Sequence, residues 1–232
     1  MSKALLLLLA VFISTAHAGE AEIKSTLQKK LPQIGQINQV NKSPVNGLYE
    51  VVTQDRIFYT DDKANYLIDG IVFDIKAMRN VTEERSRKLF AVDFDSLPLD
   101  LAVKVVKGKG ERKLAIFTDP NCGFCKKLEQ ELLQIDNVTI YHLMYPVFPG
   151  SEEKVRDVWC SKDRAKAWED MMLIGTAPAP GNCEPPTAKI QALARKMKIN
   201  GTPALIFGNG VINPGYLPAA ELEKALVAAS KK

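Results

Sequence analysis

Cys122 and Cys125 stand in the stretch "TDPNCGFCKKLEQEL", residues 118–132, separated by Gly123 and Phe124. Two thiols at this spacing support three chemistries: a metal site, a short staple or a reactive pair. A structural zinc site takes four ligands. The other cysteines, Cys160 and Cys183, are single, and the histidines are only His17 and His142. A staple over so short a loop would restrict the unfolded chain very little. A reactive pair is the reading the spacing supports best. It needs a thiolate, because the thiolate is the species that attacks a disulfide.

The flanking residues suggest how a thiolate could be favoured. "KLAIFTD" is a short apolar run bounded by charge and by Asp119-Pro120, the pattern of a buried strand. Cys125, Leu128, Leu132 and Ile135 then share one stripe of a helix. The pattern predicts Cys122 at the helix start and Cys125 on its inward face. Free amides and the dipole of a helix N-terminus stabilise a negative sulfur there. Lys126 and Lys127 are read as solvated lysines that add some positive potential. His142 lies in "NVTIYHLMYPV", a β-branched and aromatic run, and is read as a packed strand histidine. His17 lies in the expected leader, so His142 is the one histidine left after it, and a Cys–His hydrolase is poorly supported.

Residues 1–18, "MSKALLLLLAVFISTAHA", carry one positive charge, a run of ten apolar residues from Ala4 to Ile13 and a small-x-small ending. That is the layout of a secretory signal peptide cleaved after Ala18. The apolar run is about half of the ~20 residues a spanning helix needs. The expectation is export to the periplasm, where disulfides persist. The formal net charge of +4 falls to +3 when Lys3 leaves with the leader. So mild a balance argues against nucleic acid as a partner. No phosphate-binding glycine loop, repeat or low-complexity tract is present, and no cofactor is expected.

The chain divides near its middle. "EAEIKSTLQKKLP" reads as an amphipathic helix carrying Ile23, Leu27 and Leu31. Short strand-like runs follow in "GLYEVVT", "IFYTDD" and "ANYLIDGIVFDI", separated by turn residues. A unit of about sixty residues buries little core by itself, and association is one remedy. "NVTEERSRKLFAVDF" reads as a solvated helix with Thr82 as N-cap, ended by Pro98. The expected organisation is a leader over 1–18, an N-terminal unit over 19–79, a linker helix over 80–97 and a catalytic unit over 98–232. From Leu99 onward the expected order is strand, helix, strand, long helical region, strand pair, helix. In the last part, "NGTPALIFGNGVINPGY" places Thr202-Pro203 before a strand. A cis-proline there, facing the cysteines, would free neighbouring backbone groups to pair with an extended substrate.

A strand, Cys-Gly-Phe-Cys opening a helix, and a later Gly-Thr-Pro before a strand together resemble the thioredoxin superfamily. "FTDPNCGFCKKL", "VWCSKDRAKAW" and "NGTPALIFGNGVINPGY", with "IFYTDD" and "NVTEERSRK", are similar to the DsbC/DsbG family within it. The resemblance implies an α+β N-terminal dimerisation domain, a linker helix and a C-terminal α/β thioredoxin-fold domain with a helical insertion. It implies a homodimer that isomerises wrong disulfides in misfolded exported proteins, with accessory chaperone activity and a membrane thiol reductase of DsbD type as electron donor. It makes Cys122 the attacking thiol, Cys125 the resolving thiol, and Thr202 and Pro203 the cis-proline loop. Two positions depart from the pattern: Phe124 stands where tyrosine is expected, and Lys126 where histidine is frequent. Bridging Cys160 to Cys183 would close 24 residues, worth about 3 kcal/mol in the chain-entropy model. A structural disulfide is the expectation for that pair. Two other functions fit the same features: net dithiol oxidation, and a non-enzymatic holdase.

Overall fold

The computed structural model describes residues 16–230. Of the expected leader only the backbone of 16–18 is described; the rest of it lies outside the described residues. The chain forms two compact units, Met1–Ser86 and Arg87–Lys232.

The first unit opens with α1 (Ala16–Lys30) and continues as an antiparallel sheet of β1 (Gln39–Lys42), β2 (Leu48–Val52), β3 (Ile57–Asp61) and β4 (Leu67–Ile68), in that order. Ile23 and Leu27 of α1 meet Val40, Val51 and Phe58 in one buried cluster. The spacing of four along α1 puts both side chains on the face the sheet needs covered. A hairpin of β5 (Phe73–Asp74) and β6 (Arg79–Asn80) follows, then α2 (Val81–Leu89).

Two expectations about α2 are corrected. The helix ends at Leu89, well before Pro98, and Thr82 does not cap it. Asn80 does that work, its side chain accepting the Glu83 N–H at 3.0 Å. Thr82 is buried instead, with its hydroxyl 2.5 Å from the Tyr59 hydroxyl and accepting the Val72 N–H at 2.8 Å. A buried threonine with apolar neighbours turns its hydroxyl to whatever polar group is also buried. Arg85 pairs with Glu50, whose side chain is 8% exposed. This bond ties the charged face to the sheet of this unit.

The second unit is a five-stranded mixed sheet flanked by helices. Its elements in chain order are β7 (Val103–Lys107), β8 (Arg112–Thr118), α3 (Gly123–Leu132), β9 (Val138–Met144), α4 (Ser151–Cys160), α5 (Arg164–Glu169), a π-helical turn (Asp170–Ile174), α6 (Thr187–Lys196), β10 (Ala204–Phe207), β11 (Ile212–Pro214) and α7 (Ala219–Ser230). The strand order is β11-β10-β8-β9-β7. Only β8 and β9 run parallel. β7 was not expected. Its alternation in "VKVVK" buries Val103 and Val105 against β9, and it is an edge strand, so half of it meets solvent. The boundary expected at Pro98 also moves. Phe94 and Leu97 are buried with Phe117, Leu143 and Ile206 in the core of this unit. Val92 donates its N–H to Gly210 O at 2.9 Å. Gly210 has φ +79°, and a Cβ there would lie 1.7 Å from Val92 O, so no other residue fits.

Candidate active site

The C-terminal ends of β8 and β9 and the start of β10 lie at one edge of the sheet, since β10 runs antiparallel to β8. Cys122 follows β8 there, and Pro203 immediately precedes β10. The register pairs Phe117 with Ala204, which brings the two segments together from opposite ends of the sequence.

Cys122 is the N-cap of α3, with extended backbone (φ −76°, ψ 118°). Its sulfur accepts the Cys125 N–H at 3.4 Å. It also lies 3.3 Å from Thr202 O, to which the thiol donates. Both cysteines are free thiols and both are buried. The Thr202–Pro203 peptide bond is cis. The expected site residues therefore converge: a thiol at a helix start, a second thiol one turn on, and a cis-proline loop in contact with the first.

Burial pushes the Cys125 thiol up to about 12, and the neighbouring Cys122 sulfur acts in the same direction. The Thr118 hydroxyl and the Asp119 backbone N–H, which face the Cys125 sulfur, oppose this. Cys125 is thus held as a thiol at neutral pH.

Asp119 is a residue the sequence reading used only as a strand boundary. It is fully buried, and its carboxylate accepts four donors: Asn121 N–H (2.7 Å), Val147 N–H (2.6 Å), Phe148 N–H (3.1 Å) and the Ser151 hydroxyl (2.6 Å). Four hydrogen bonds to one side chain satisfy its oxygens without a cation. They clamp the turn carrying Cys122 to the loop after β9. An aspartate directly after a buried strand and before Pro120 is the one local signal for this role.

On the exposed side, Phe124 is 62% accessible and its ring lies 6.1 Å from that of Tyr216. Lys127 sits over the Tyr216 ring at 4.6 Å. Tyr216 donates to Glu131 at 2.6 Å, and the Ala219 N–H at the start of α7 donates to the other oxygen at 3.0 Å. These two bonds, the tyrosine's first, hold the Glu131 carboxyl below its ordinary range.

Cys160 and Cys183 form a disulfide with Cα atoms 5.6 Å apart. It ties the end of α4 to the Pro/Gly-rich segment before α6. Gly181 is packed so closely that an added Cβ would lie 2.8 Å from the Cys160 sulfur. Both of its sulfurs are taken up in that bond, whereas Cys122 and Cys125 are free.

His142 is buried on β9, as a packed strand histidine would be. Its neighbour was not foreseen. Glu129, one turn after Cys125 on α3, is also buried, and its Oε1 lies 3.0 Å from His142 Nε2. The same oxygen accepts the Trp168 indole N–H at 3.0 Å. A carboxylate four residues after an inward cysteine was the available signal.

The thioredoxin-like domain family matches residues 99–230, and the N-terminal domain family of disulfide bond isomerase proteins matches residues 14–83. The "Probable thiol:disulfide interchange protein DsbC" of Bordetella parapertussis is 45% identical over 191 residues, which is 82% of this chain and 68% of that protein. The thiol:disulfide interchange protein DsbC of Escherichia coli is 31% identical over 228 residues, 94% and 92% of the two chains.

The chain belongs to the DsbC family. A disulfide interchange protein from Neisseria gonorrhoeae, solved by crystallography, superimposes with a TM-score of 0.56 at 40% identity, covering 59% of this chain and all of that one. The chain is a thiol:disulfide interchange enzyme of isomerase type, with an N-terminal domain of the DsbC class and a thioredoxin-like catalytic domain. Among the described residues no helix is long and apolar enough to cross a membrane.

Proposed function

We propose that Cys122 is the attacking thiol and Cys125 the resolving thiol, with Thr202 and Pro203 forming the loop that receives the substrate backbone. The observation that carries this is the contact of the Cys122 sulfur with Thr202 O at 3.3 Å, at a helix start where its own turn donates an N–H to it. The Cys122 thiolate attacks a wrong disulfide, one substrate sulfur leaves, and a mixed disulfide forms. A substrate thiol then attacks the mixed disulfide and regenerates Cys122, which completes isomerisation. When no substrate thiol arrives, Cys125 displaces the substrate, which leaves reduced while the pair becomes a disulfide. Return to the dithiol state then needs an electron donor, for which a membrane thiol reductase of DsbD type is the candidate. The disulfide Cys160–Cys183 is structural in this reading.

We further propose that the enzyme works in the periplasm, after loss of residues 1–18, as a homodimer joined through the N-terminal unit. Its substrates would be misfolded, disulfide-containing exported proteins. Support for the dimer comes from β4, an edge strand, and from an exposed apolar run over Ile68, Ile71, Phe73, Ile75 and Met78 that is 45–81% accessible. Such a surface also suits accessory chaperone binding. The test is reactivation of a scrambled multi-disulfide protein in a glutathione buffer by the chain from Gly19 onward, by its Cys122→Ser variant and by a fragment starting at Arg87. The fragment should be monomeric by light scattering and should exchange small disulfides yet reactivate poorly. A dimeric fragment, or one as active on scrambled substrate as the full chain, would remove the N-terminal unit from this account. Full activity of Cys122→Ser would leave only the holdase.

A further inference from the structure

Resolution by Cys125 requires that its thiol lose a proton. The Cys125 sulfur then attacks Cys122 Sγ, the Cys122–substrate S–S bond breaks, and the Cys122–Cys125 bond forms. The substrate sulfur leaves as a thiolate and takes a proton from solvent. Cys125 is wholly buried, so its own proton needs an acceptor inside the protein. The groups that face its sulfur are the Thr118 hydroxyl, the Asp119 N–H and the Cys122 sulfur. The first two are not bases, and the third is the atom under attack.

Other buried polar side chains of the C-terminal unit, among the described residues, are hydroxyls, the Asn213 amide and three bases: Asp119, Glu129 and His142. Asp119 is saturated by its four donors. Glu129 and His142 are not. Glu129 Oε1 meets Trp168 Nε1 and His142 Nε2, and neither histidine nitrogen is in line for a hydrogen bond with any partner, although one lies 3.0 Å from the carboxylate. The pair borders the buried cluster that holds both cysteines, through Trp168. Glu129 follows Cys125 by four residues on the same helix, and helical side chains lean toward the N-terminus, which tilts Glu129 back toward Cys125. Trp168 belongs to the buried cluster that holds both cysteines, and its ring lies 5.3 Å from that of His142.

We propose that Glu129 and His142 act together as the internal proton acceptor for Cys125, taking its proton when the mixed disulfide resolves and returning it when the pair is reduced. This rests on the reading of Cys122 as attacking thiol and Cys125 as resolving thiol. The charged groups on the elements around the pair are engaged elsewhere. Lys126 of α3 is exposed and Lys127 lies over Tyr216. Lys104 of β7 lies over Tyr141. Arg164 of α5 lies over Trp159, and Lys166 pairs with Asp170 at 2.8 Å. The proton can therefore rest on the pair without competition from a nearby cation.

The test uses the reduced enzyme and Ellman's reagent, dithiobis-nitrobenzoate, followed by stopped flow. Attack by Cys122 releases the first nitrothiobenzoate and leaves a mixed disulfide; attack by Cys125 releases the second. Glu129→Gln keeps an oxygen for the Trp168 N–H, and His142→Gln is the independent second variant. Both should leave the first phase within about twofold. Both should slow the second on the order of 10²-fold at pH 7, the size of a typical general-base contribution. The deficit should shrink as pH rises toward the value at which Cys125 ionises unaided. An unchanged second phase in both variants across the pH range overturns the proposal, as does equal slowing of both phases. Cys125→Ser, run alongside, should show one phase only. Two phases there would refute Cys125 as the resolving thiol, which is a separate failure.

Discussion

The C-terminal unit holds two pairs of cysteines built from the same atoms and held in opposite states, one free and one bonded. Cys122 and Cys125 are three positions apart on one helical turn, are both buried, and are both thiols. Cys160 and Cys183 are 23 positions apart, join a helix end to an irregular segment, and are bonded to each other. The first pair is surrounded by groups that act on sulfur: a helix N-terminus, a hydroxyl, a carbonyl and a cis-proline loop. The second is surrounded by backbone that it restrains, with Gly181 against one sulfur and the Gly181 N–H bonded to Asp157 at 2.9 Å. Reactivity is thus a property of the sulfur's surroundings, and loop length decides how much a bridge stabilises.

That contrast can be broken at four points. The largest effect is expected from Cys122→Ser, which should abolish disulfide exchange while leaving the thermal midpoint nearly unchanged. Retained exchange would mean that the other pair is reactive. Next in size is the double change Cys160→Ser with Cys183→Ser. It should lower unfolding stability by about 3 kcal/mol on the chain-entropy estimate, read by urea denaturation, and leave the first Ellman phase of Cys122 as it was. Loss of exchange without loss of stability would invert the assignment of the two pairs.

A third, smaller effect separates the pairs by pH. The Cys125 thiol is raised in the folded state from 9.0 to about 12. Its contribution to stability is therefore complete below about pH 9 and is lost as pH rises toward 12. The reduced enzyme should lose stability over that range relative to the oxidised enzyme, and Cys125→Ser should remove the difference. Parallel alkaline curves for the two redox states would contradict the burial argument. The smallest effect concerns the support of α3. The Glu131 carboxyl is lowered chiefly by the Tyr216 hydroxyl, so its contribution is present above the ordinary carboxyl range and fades as pH falls through the lowered value. Tyr216→Phe should make acid unfolding between about pH 5 and 3 slightly less steep, measured by circular dichroism. An identical acid profile would show that this bond is exchanged for water at no cost.

Much of this organisation was legible in local pattern. The inward stripe of Cys125, Leu128, Leu132 and Ile135 followed from helical period, and all four are buried. The helices and main strands around the cysteines could be read because apolar runs and caps are short-range signals. β7 escaped because its five residues are only half buried and carry two lysines. Thr82 was misread because a threonine before a charged helix is an ordinary cap, and nothing nearby in sequence announces Tyr59, 23 residues back, as its partner. Phe94 and Leu97 were assigned to a linker because a charged run precedes them; their burial depends on β8, β9 and β10, which lie further on in the chain.

By itself the sequence determined which helix presents the closely spaced thiols and where on it they stand, since both depend on residues within two turns of each other. It determined the split into two units through the change from short β runs to a strand–helix alternation. The tertiary structure alone decided what each thiol meets. Thr202 reaches Cys122 across 80 positions because β10 pairs with β8. Asp119 collects Val147, Phe148 and Ser151 because β9 runs parallel to β8 and ends at the same edge. Glu129 finds His142 and Trp168 because α3 and α5 pack over β9. Strand register and helix packing carry groups distant in sequence to within 3.3 Å of each other, and the desolvation that changes their chemistry exists only once the sheet is closed over by its helices.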